Sequence, residues 1–168
     1  LPFSRAVIEA RTLGYAEPDP RDDLSGEDVA RKFLILARTS GLKLEREDLK
    51  VESLIPEKLA DVDASVFLSL LSDYDSEWAE RLTSEQKKGK TLRYIGSLDE
   101  KGEIRIGMAS VDLESELGRL DGTNNLVTIR TERYYDQPMV IKGPGAGKEV
   151  TAAGILADIQ KILREARS

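Results

Sequence analysis

The sequence predicts an α+β fold, in which helices pack on one face of a small, mostly antiparallel or mixed sheet. Two observations carry this prediction. Apolar residues recur at helical spacing through much of the first half of the chain and again at its end. TLRYIGSL (91–98) and EIRIGMASV (103–111) instead alternate as strands, and the DEKG between them suits a bulged hairpin turn. Helices grouped on one side of such a sheet are typical of the α+β class.

Four helices are predicted from the spacing of apolar residues. Gly14 and Gly41 are favourable ends for the first two, because glycine readily adopts the left-handed conformation that terminates a helix. The acids in the middle of the third helix predict a break near residues 72–75. The four helices are expected at about residues 3–13, 25–39, 63–88 and 149–165.

Residues 14–24 are expected to form an irregular loop, because Pro18 and Pro20 force the residues before them toward extended conformations. The second helix begins at SGED, where Ser25 can cap and Asp28 occupies the place of a capping-box acid. The remaining candidate strands are VESLIP (50–55), NNLVTIRT (124–131) and PMVIK (138–142).

Composition narrows the class of function. The 168 residues suffice for one compact core and at most a small second lobe. The net charge of −6 argues against nucleic-acid binding, and no run approaches the ~18 apolar residues of a membrane helix. Without cysteine or histidine, disulfides, thiolate metal sites and Ser-His or Cys-His catalysis are excluded. Since the lack of disulfides fits a reducing compartment, we expect a cytoplasmic protein.

The segment GYAEPDPRDDLSGEDVARK (14–32) holds six acids and three bases and allows two interpretations. In the first, the acids are solvated, and Asp28 and Lys32 form an exposed ion pair worth about 0.3–0.5 kcal/mol. In the second, Glu17, Asp23 and Asp28 converge and repel one another unless a cation, such as a substrate ammonium, neutralises them. Lys32 would then carry a proton, because a lysine can protonate a developing alkoxide.

A calcium site in this segment is rejected on spacing. An EF-hand loop needs acids at alternating positions, then a glycine and finally a glutamate at the twelfth position. Counted from Asp19, the third position is Arg21; counted from Asp23, it is Ser25, and no glutamate follows at the twelfth. We therefore predict no metal site here.

GPGAGKEVTAAG (143–154) places three glycines before a helix, where free amides attract anions. It matches neither the Walker pattern nor the Rossmann fingerprint, and a tight strand-to-helix connection is the alternative. The helix that follows is apolar around most of its girth, so we expect a partner domain to cover it. The chain also opens inside a predicted helix, so we expect it to be a fragment of a longer protein.

The segment ARTLGYAEPDPRDDLSGEDVARK (10–32) resembles the signature segment of homoserine dehydrogenases. RTERYYDQPMVIK (130–142) followed by GPGAGKEVTAAG resembles that family's C-terminal segment. LILARTSGLKLE (34–45) and TLRYIGSLDEKG (91–102) favour the homoserine dehydrogenase part of a bifunctional aspartokinase–homoserine dehydrogenase, although a monofunctional enzyme is the alternative. The resemblance covers essentially the whole chain. One departure is that DLESELGRLD (112–121) lacks the His-Pro expected before GTNN.

The resemblance implies an activity and roles for four residues. Members of the family reduce L-aspartate 4-semialdehyde to L-homoserine with NADP or NAD as the cofactor, on the route to threonine, methionine and isoleucine. Lys32 would be the catalytic acid/base that protonates the aldehyde oxygen. Glu17 and Asp28 would bind the substrate, with its ammonium as the natural partner of a carboxylate, and Asp23 would support them.

The resemblance also implies an organisation of domains. Residues 1–147 would form the substrate-binding, catalytic and dimerisation domain, and residues 148–168 a helix that packs on an absent Rossmann nucleotide-binding domain. Gly14 and Gly147 would approach the cofactor, which the absent domain mainly binds. Expected partners are a second copy, through the sheet, and, in the bifunctional case, a fused aspartokinase. The fragment alone should not turn over. The alternative function is a non-catalytic dimerisation module whose acidic loop is merely solvated.

Overall fold

The computed structural model describes residues 1–145 and 147–166, and the chain divides into two compact units, Leu1–Gly118 and Arg119–Ser168. Helices accompany a small sheet in each unit, so the predicted α+β class is confirmed. Ala146 of the glycine segment and the last two positions of the predicted C-terminal part, 167 and 168, lie outside the described residues.

The helices of the first unit follow the predictions closely. The expected break in the third predicted helix is a 3₁₀ turn at Leu71–Tyr74. The predicted loop at 14–24 is wrong in one respect, because it contains a single helical turn directly after Pro20, whose fixed φ favours a helix start. The helices are α1 (Phe3–Thr12), α2 (Arg21–Leu24), α3 (Glu27–Thr39), α4 (Ala64–Leu70) and α5 (Asp75–Gln86).

The capping box predicted at Ser25 and Asp28 is wrong. The N-cap of α3 is Gly26, with a φ of 78° and no side-chain cap bond of its own. Ser25 Oγ accepts a hydrogen bond from the N–H of Glu27, the first residue of α3, at 3.3 Å, and donates one to the carbonyl of Asp22 at 2.9 Å. The start of α3 is therefore defined by a left-handed glycine, a conformation that other residues adopt at a cost.

Three strands form the sheet of the first unit: β1 (Lys50–Val51), β2 (Lys90–Leu98) and β3 (Ile104–Asp112). Their order is β1-β3-β2, with β1 parallel and β2 antiparallel to β3. The predicted hairpin is confirmed. The predicted strand at 50–55 shortens to two residues, and Leu54 donates its N–H to the carbonyl of Leu24, at the end of α2.

Helices α3 and α5 pack on one face of this sheet. Ile104 and Ile106 of β3 are buried against Ala30 and Ala37 of α3, whose small side chains let the helix approach closely. Burial of each isoleucine contributes about 1.5–3 kcal/mol. Ser110 occupies the same face of β3, because side chains alternate along a strand, and it donates a hydrogen bond to the α5 residue Glu85.

A second hydrophobic core joins α1, the α4 region and residues 57–59. Val7, Leu59, Phe67 and Leu71 form this second core, and Phe67 is fully buried. The start of α1 is held to α5 by polar contacts, because Asp75 accepts hydrogen bonds from the backbone N–H of Ser4 at 2.8 Å and from its hydroxyl at 2.6 Å. These bonds lower the pKa of Asp75 below its ordinary value of 3.8.

The second unit pairs β4 (Asn124–Ile129) with β5 (Met139–Pro144) as an antiparallel ribbon and continues into α6 (Lys148–Glu165). The predicted strand at 124–131 ends two residues early. Every described position of α6 is exposed, so its apolar side chains remain uncovered. None of the helices described combines the length and hydrophobicity that crossing a membrane requires. The large exposed apolar side chains of α6 are Val150, Ile155, Leu156, Ile159, Ile162 and Leu163.

Replacement of Asp75 tests the polar link between α1 and α5. Asp75→Ala should lower the free energy of unfolding by about 1 kcal/mol at pH 7, because the first turn of α1 loses its acceptor. Since the pKa of Asp75 is lower in the folded state, its contribution is present above the ordinary pKa and disappears as the pH falls through the folded pKa. Urea unfolding at pH 7 and at about pH 3 measures this loss.

The matched control is Asp73→Ala, which removes an exposed acid two residues away. The control should change the free energy of unfolding little at either pH. A difference between wild type and Asp75→Ala that stays constant from neutral to acidic pH would contradict the assigned role of the carboxylate.

Candidate functional site

The ion pair expected on α3 is present. Lys32 Nζ lies 2.6 Å from Asp28 Oδ2, one helical turn away, and the two side chains are 57% and 53% exposed. Arg31 Nη2 approaches the other oxygen of Asp28 at 3.9 Å. Water has free access to the pair, so its contribution to stability is at most about 0.5 kcal/mol. The main effect of the pair is therefore to hold the Lys32 ammonium in one orientation toward the solvent.

The loop before α3 brings Glu17 and Asp23 together. Asp23 Oδ2 accepts a hydrogen bond from the backbone N–H of Glu17 at 2.9 Å, across six residues. Both side chains are exposed. The structure thus forms one pair from Glu17 and Asp23 and a second from Asp28 and Lys32, and among the described residues no hydrogen bond joins the two pairs.

The six acids of this segment fall into two groups. Asp19 is paired with Arg21, and Glu27 makes a two-pronged contact with Arg46; in each case the guanidinium lowers the pKa of the carboxyl group. Asp28 is paired with Lys32. The other three acids of the segment, Glu17, Asp22 and Asp23, form no ion pair with any residue in 1–145 and 147–166.

Unpaired carboxylates crowded on one loop create a local negative potential that attracts a cation. The described part of the chain contains no group of three or more acids arranged to hold a metal ion. Exposed carboxylates of this kind can accept hydrogen bonds from an organic cation that approaches from solvent. An ammonium group has the charge and the hydrogen-bond donors for this.

The N-terminus of α3 is fixed against the sheet, which places Asp28 and Lys32. A Cβ on Gly26 would collide with the hydroxyl of Tyr94 and approach Val51 too closely. Tyr94 donates a hydrogen bond to the carbonyl of Glu52 at 2.7 Å, and burial raises the pKa of its hydroxyl. The helix start is thus pressed onto β2 at the one residue type that permits the contact.

Arg21 and Arg11 anchor the acidic loop, and no sequence pattern predicts this role for them. Arg11 donates from Nε to the carbonyl of Pro18 at 3.0 Å, and Arg21 donates to the carbonyls of Ala60 and Val62. The only local signal was the Asp-Pro-Arg spacing. The carbonyl partners of Arg21 lie 39 and 41 residues away, which no local pattern encodes.

The two glycines expected near a cofactor have open surroundings. Gly14 follows α1 with a φ of 74°, and Gly147 precedes α6 with a φ of 118°. A Cβ on either would meet no atom within 4 Å, so each leaves room beside the backbone. Gly145 is different, because a Cβ there would collide with the side chain of Asn125. The glycine at position 145 is therefore explained by packing within the ribbon.

The model of the homoserine dehydrogenase family matches residues 1–160 of this chain. The chain belongs to the homoserine dehydrogenase family. It is 42% identical over 168 residues to a homoserine dehydrogenase of Emericella nidulans, covering 96% of this chain and 46% of the relative. It is 45% identical over 164 residues to the chloroplastic bifunctional aspartokinase/homoserine dehydrogenase 2 of Zea mays, covering 95% of this chain and 18% of the relative.

A solved structure from the same family has a similar fold. The crystal structure of a putative homoserine dehydrogenase from Archaeoglobus fulgidus superposes with a TM-score of 0.71 at 30% sequence identity. The match covers 96% of this chain and 43% of the other. The chain therefore spans less than half the length of each of these members of the homoserine dehydrogenase family.

Replacing Gly26 tests the constraint at the start of α3. Gly26→Ala should lower the free energy of unfolding by about 3 kcal/mol, combining the cost of a left-handed alanine with overpacking against Tyr94. Gly41→Ala is the matched control: its φ is 91°, but its surroundings are open, so it should cost only about 1–2 kcal/mol. Urea unfolding compares the two variants. Equal losses would show that the contact with Tyr94 contributes nothing.

Proposed function

We propose that this chain is the substrate-binding, catalytic and dimerisation part of a homoserine dehydrogenase that reduces L-aspartate 4-semialdehyde to L-homoserine. The observation that carries the proposal is the Lys32–Asp28 pair on α3, which directly follows a loop whose Glu17 and Asp23 carboxylates have no cation of their own in the described residues. Membership of the family supplies the reaction class. The pair and the loop supply a proton donor and a binding site for an ammonium group.

Lys32 provides the proton in this proposal. Reduction of an aldehyde to an alcohol needs a proton at the oxygen and a hydride at the carbon, and hydride transfer is the chemistry that a reduced nicotinamide cofactor supplies when bound. The Lys32 ammonium donates its proton to the oxygen as negative charge develops there, and solvent reprotonates the amine. Asp28, at 2.6 Å, orients the ammonium. In the reverse direction the neutral amine accepts the proton of the homoserine hydroxyl.

Carboxylates bind the other end of the substrate. Glu17 and Asp28 accept hydrogen bonds from the substrate ammonium, and Asp23 holds the backbone of Glu17 in place. Charge-assisted hydrogen bonds of this kind are about twice as strong as neutral ones. The substrate ammonium thus supplies the positive charge that the loop lacks. The binding energy comes from relieving repulsion among the acids as well as from new contacts.

Gly14 and Gly147 fit a nearby cofactor, because each offers open backbone that a side chain would fill. We assign Gly147 to the nicotinamide end, at the start of α6. The rest of NADP or NAD would be held by a nucleotide-binding domain outside this chain, and that domain selects between the two. The fragment should not turn over without it.

The exposed apolar surface of the second unit supports the proposed partners. We assign the apolar side chains of α6, within residues 148–168, to the nucleotide-binding domain, and the sheet to a homodimer interface with a second copy. A fused aspartokinase, as in the maize relative, is a further proposed partner. A cytoplasmic location stays a prediction, and the name of the maize relative places that protein in the chloroplast.

Replacement of Lys32 distinguishes the enzyme from the alternative, a non-catalytic dimerisation module. In the complete protein, Lys32→Met should lower kcat about 100-fold to 10,000-fold, because the positioned proton donor is lost. Lys43→Met, which changes another exposed lysine, is the control and should leave kcat unchanged. Homoserine oxidation and aldehyde reduction are both measured, with cofactor binding and melting temperature as checks. Hydride transfer that persists in a folded, cofactor-binding Lys32→Met protein contradicts the role of Lys32 and favours the module.

Replacement of Glu17 tests recognition of the ammonium. Glu17→Gln should raise the KM for homoserine about tenfold or more while leaving the KM for the cofactor unchanged, since a charge-assisted hydrogen bond becomes a neutral one. Glu57→Gln removes an exposed acid elsewhere in the first unit and should change neither constant. A homoserine KM that is the same in Glu17→Gln and wild type would exclude Glu17 from the substrate site.

A further inference from the structure

We propose that Arg21 is a positioning residue for substrate binding: its guanidinium fixes the acidic loop to the second hydrophobic core and thereby places Glu17 and Asp23. This inference rests on the proposed function, because it concerns the same substrate site. Arg21 does not touch the substrate in this proposal. It acts through the backbone of α2 and through Asp23.

Within the acidic loop, both the side chain and the backbone N–H of Arg21 donate hydrogen bonds to Asp19. Its Nε lies 3.0 and 3.1 Å from the two oxygens of Asp19, and its Nη2 lies 2.6 Å from Oδ2. The backbone N–H of Arg21 also donates to Asp19 Oδ1 at 3.0 Å. Pro20, between the two, is fully buried. These hydrogen bonds and the burial of Pro20 therefore constrain this turn of the loop.

On the core side, Arg21 bridges to a distant part of the chain. Nη1 donates to the carbonyl of Ala60 at 2.9 Å and to that of Val62 at 2.5 Å. The guanidinium carbon lies 5.7 Å from the ring centroid of Phe67, which is fully buried in the second core. The planar fork of arginine supplies these donors together, which the ammonium of a lysine cannot do in the same geometry.

The link from Arg21 to the candidate substrate residues is short. Arg21 is the first residue of α2, and Asp23 belongs to the same helical turn. Asp23 Oδ2 in turn holds the backbone N–H of Glu17 at 2.9 Å. Anchoring one end of α2 thus fixes the carboxylate that holds Glu17. Without the anchor, the neighbouring unpaired acids repel one another and the loop relaxes away from that arrangement.

Arg38 provides a matched comparison within the same unit. Its Nε donates to the carbonyl of Leu44 at 3.0 Å and its Nη2 to Glu45 at 2.6 Å, so it also ties a loop by one carbonyl and one carboxylate. That loop follows α3 and carries none of the candidate substrate residues. Replacing Arg38 therefore measures the general effect of removing a structural arginine from this protein.

The experiment compares Arg21→Gln with Arg38→Gln in the complete protein. Arg21→Gln should raise the KM for homoserine about tenfold to a hundredfold with a much smaller change in kcat, because misplaced carboxylates weaken binding of substrate and transition state alike. Arg38→Gln should leave the KM for homoserine unchanged. Arg21→Lys, which keeps the charge but not the fork, should give an intermediate KM and guards against a variant that fails to fold.

A double-mutant cycle with Glu17→Gln separates positioning from general destabilisation. If Arg21 acts through Glu17, adding Arg21→Gln to Glu17→Gln should raise the KM little further, because the two changes share one effect. A fully additive double variant would overturn the proposal. A homoserine KM near that of wild type in Arg21→Gln would also overturn it, as would failure of both Arg21 variants to fold, which would make Arg21 a folding determinant.

The outcome is separable from that of the proposed function. A raised KM in Glu17→Gln together with an unchanged KM in Arg21→Gln removes Arg21 from the site and leaves the proposed function standing. An unchanged KM in Glu17→Gln removes the substrate role of Glu17 itself and overturns the positioning role with it. Loss of turnover in Lys32→Met is independent of both results.

Discussion

The guanidinium of Arg21 is the contact on which the acidic loop depends. It holds the carboxylate of Asp19 within the loop and two backbone carbonyls 39 and 41 residues further along the chain, while it lies over the ring of the buried Phe67. A strongly acidic loop with two prolines has little apolar surface of its own to bury. The planar guanidinium stabilises the loop in two ways. It pairs with an acid of the loop, and it donates hydrogen bonds to backbone carbonyls in another part of the chain.

Arginine pairing also divides the acids of the segment by role. Asp19 forms an ion pair with Arg21, and Glu27 forms one with Arg46. Each arginine lowers the pKa of its partner's carboxyl group and ties that carboxylate to the folded structure. Glu17 and Asp23 form no ion pair among the described residues, and Asp23 lies in the helical turn that precedes α3.

The second unit shows the opposite balance, with apolar side chains that nothing in it covers. A two-stranded ribbon buries too little surface to be stable alone, and its Val127, Ile129 and Ile141 are between 39% and 55% exposed. The described positions of α6 are exposed throughout. These observations agree with the short share, 18% and 46%, that the chain covers of its maize and Emericella relatives. The uncovered surface is what a covering domain or a second copy would bury.

The α+β class, most of the helix positions, the β2–β3 hairpin and the Asp28–Lys32 pair could be read from the sequence, because each depends on spacing within one element or one turn. Three local predictions were wrong: the capping box at Ser25, the full strand at 50–55 and a loop without a helical turn at 14–24. Gly26 is required by Tyr94, about 70 residues away, Leu54 donates to Leu24, and Arg21 binds the 60–62 backbone. Local periodicity determined which residues form helices and strands and predicted the Asp28–Lys32 pair. Only the tertiary structure decided that Glu27 pairs with Arg46 and that Arg21 anchors the loop to the 60–62 backbone, because these partners come from distant parts of the chain.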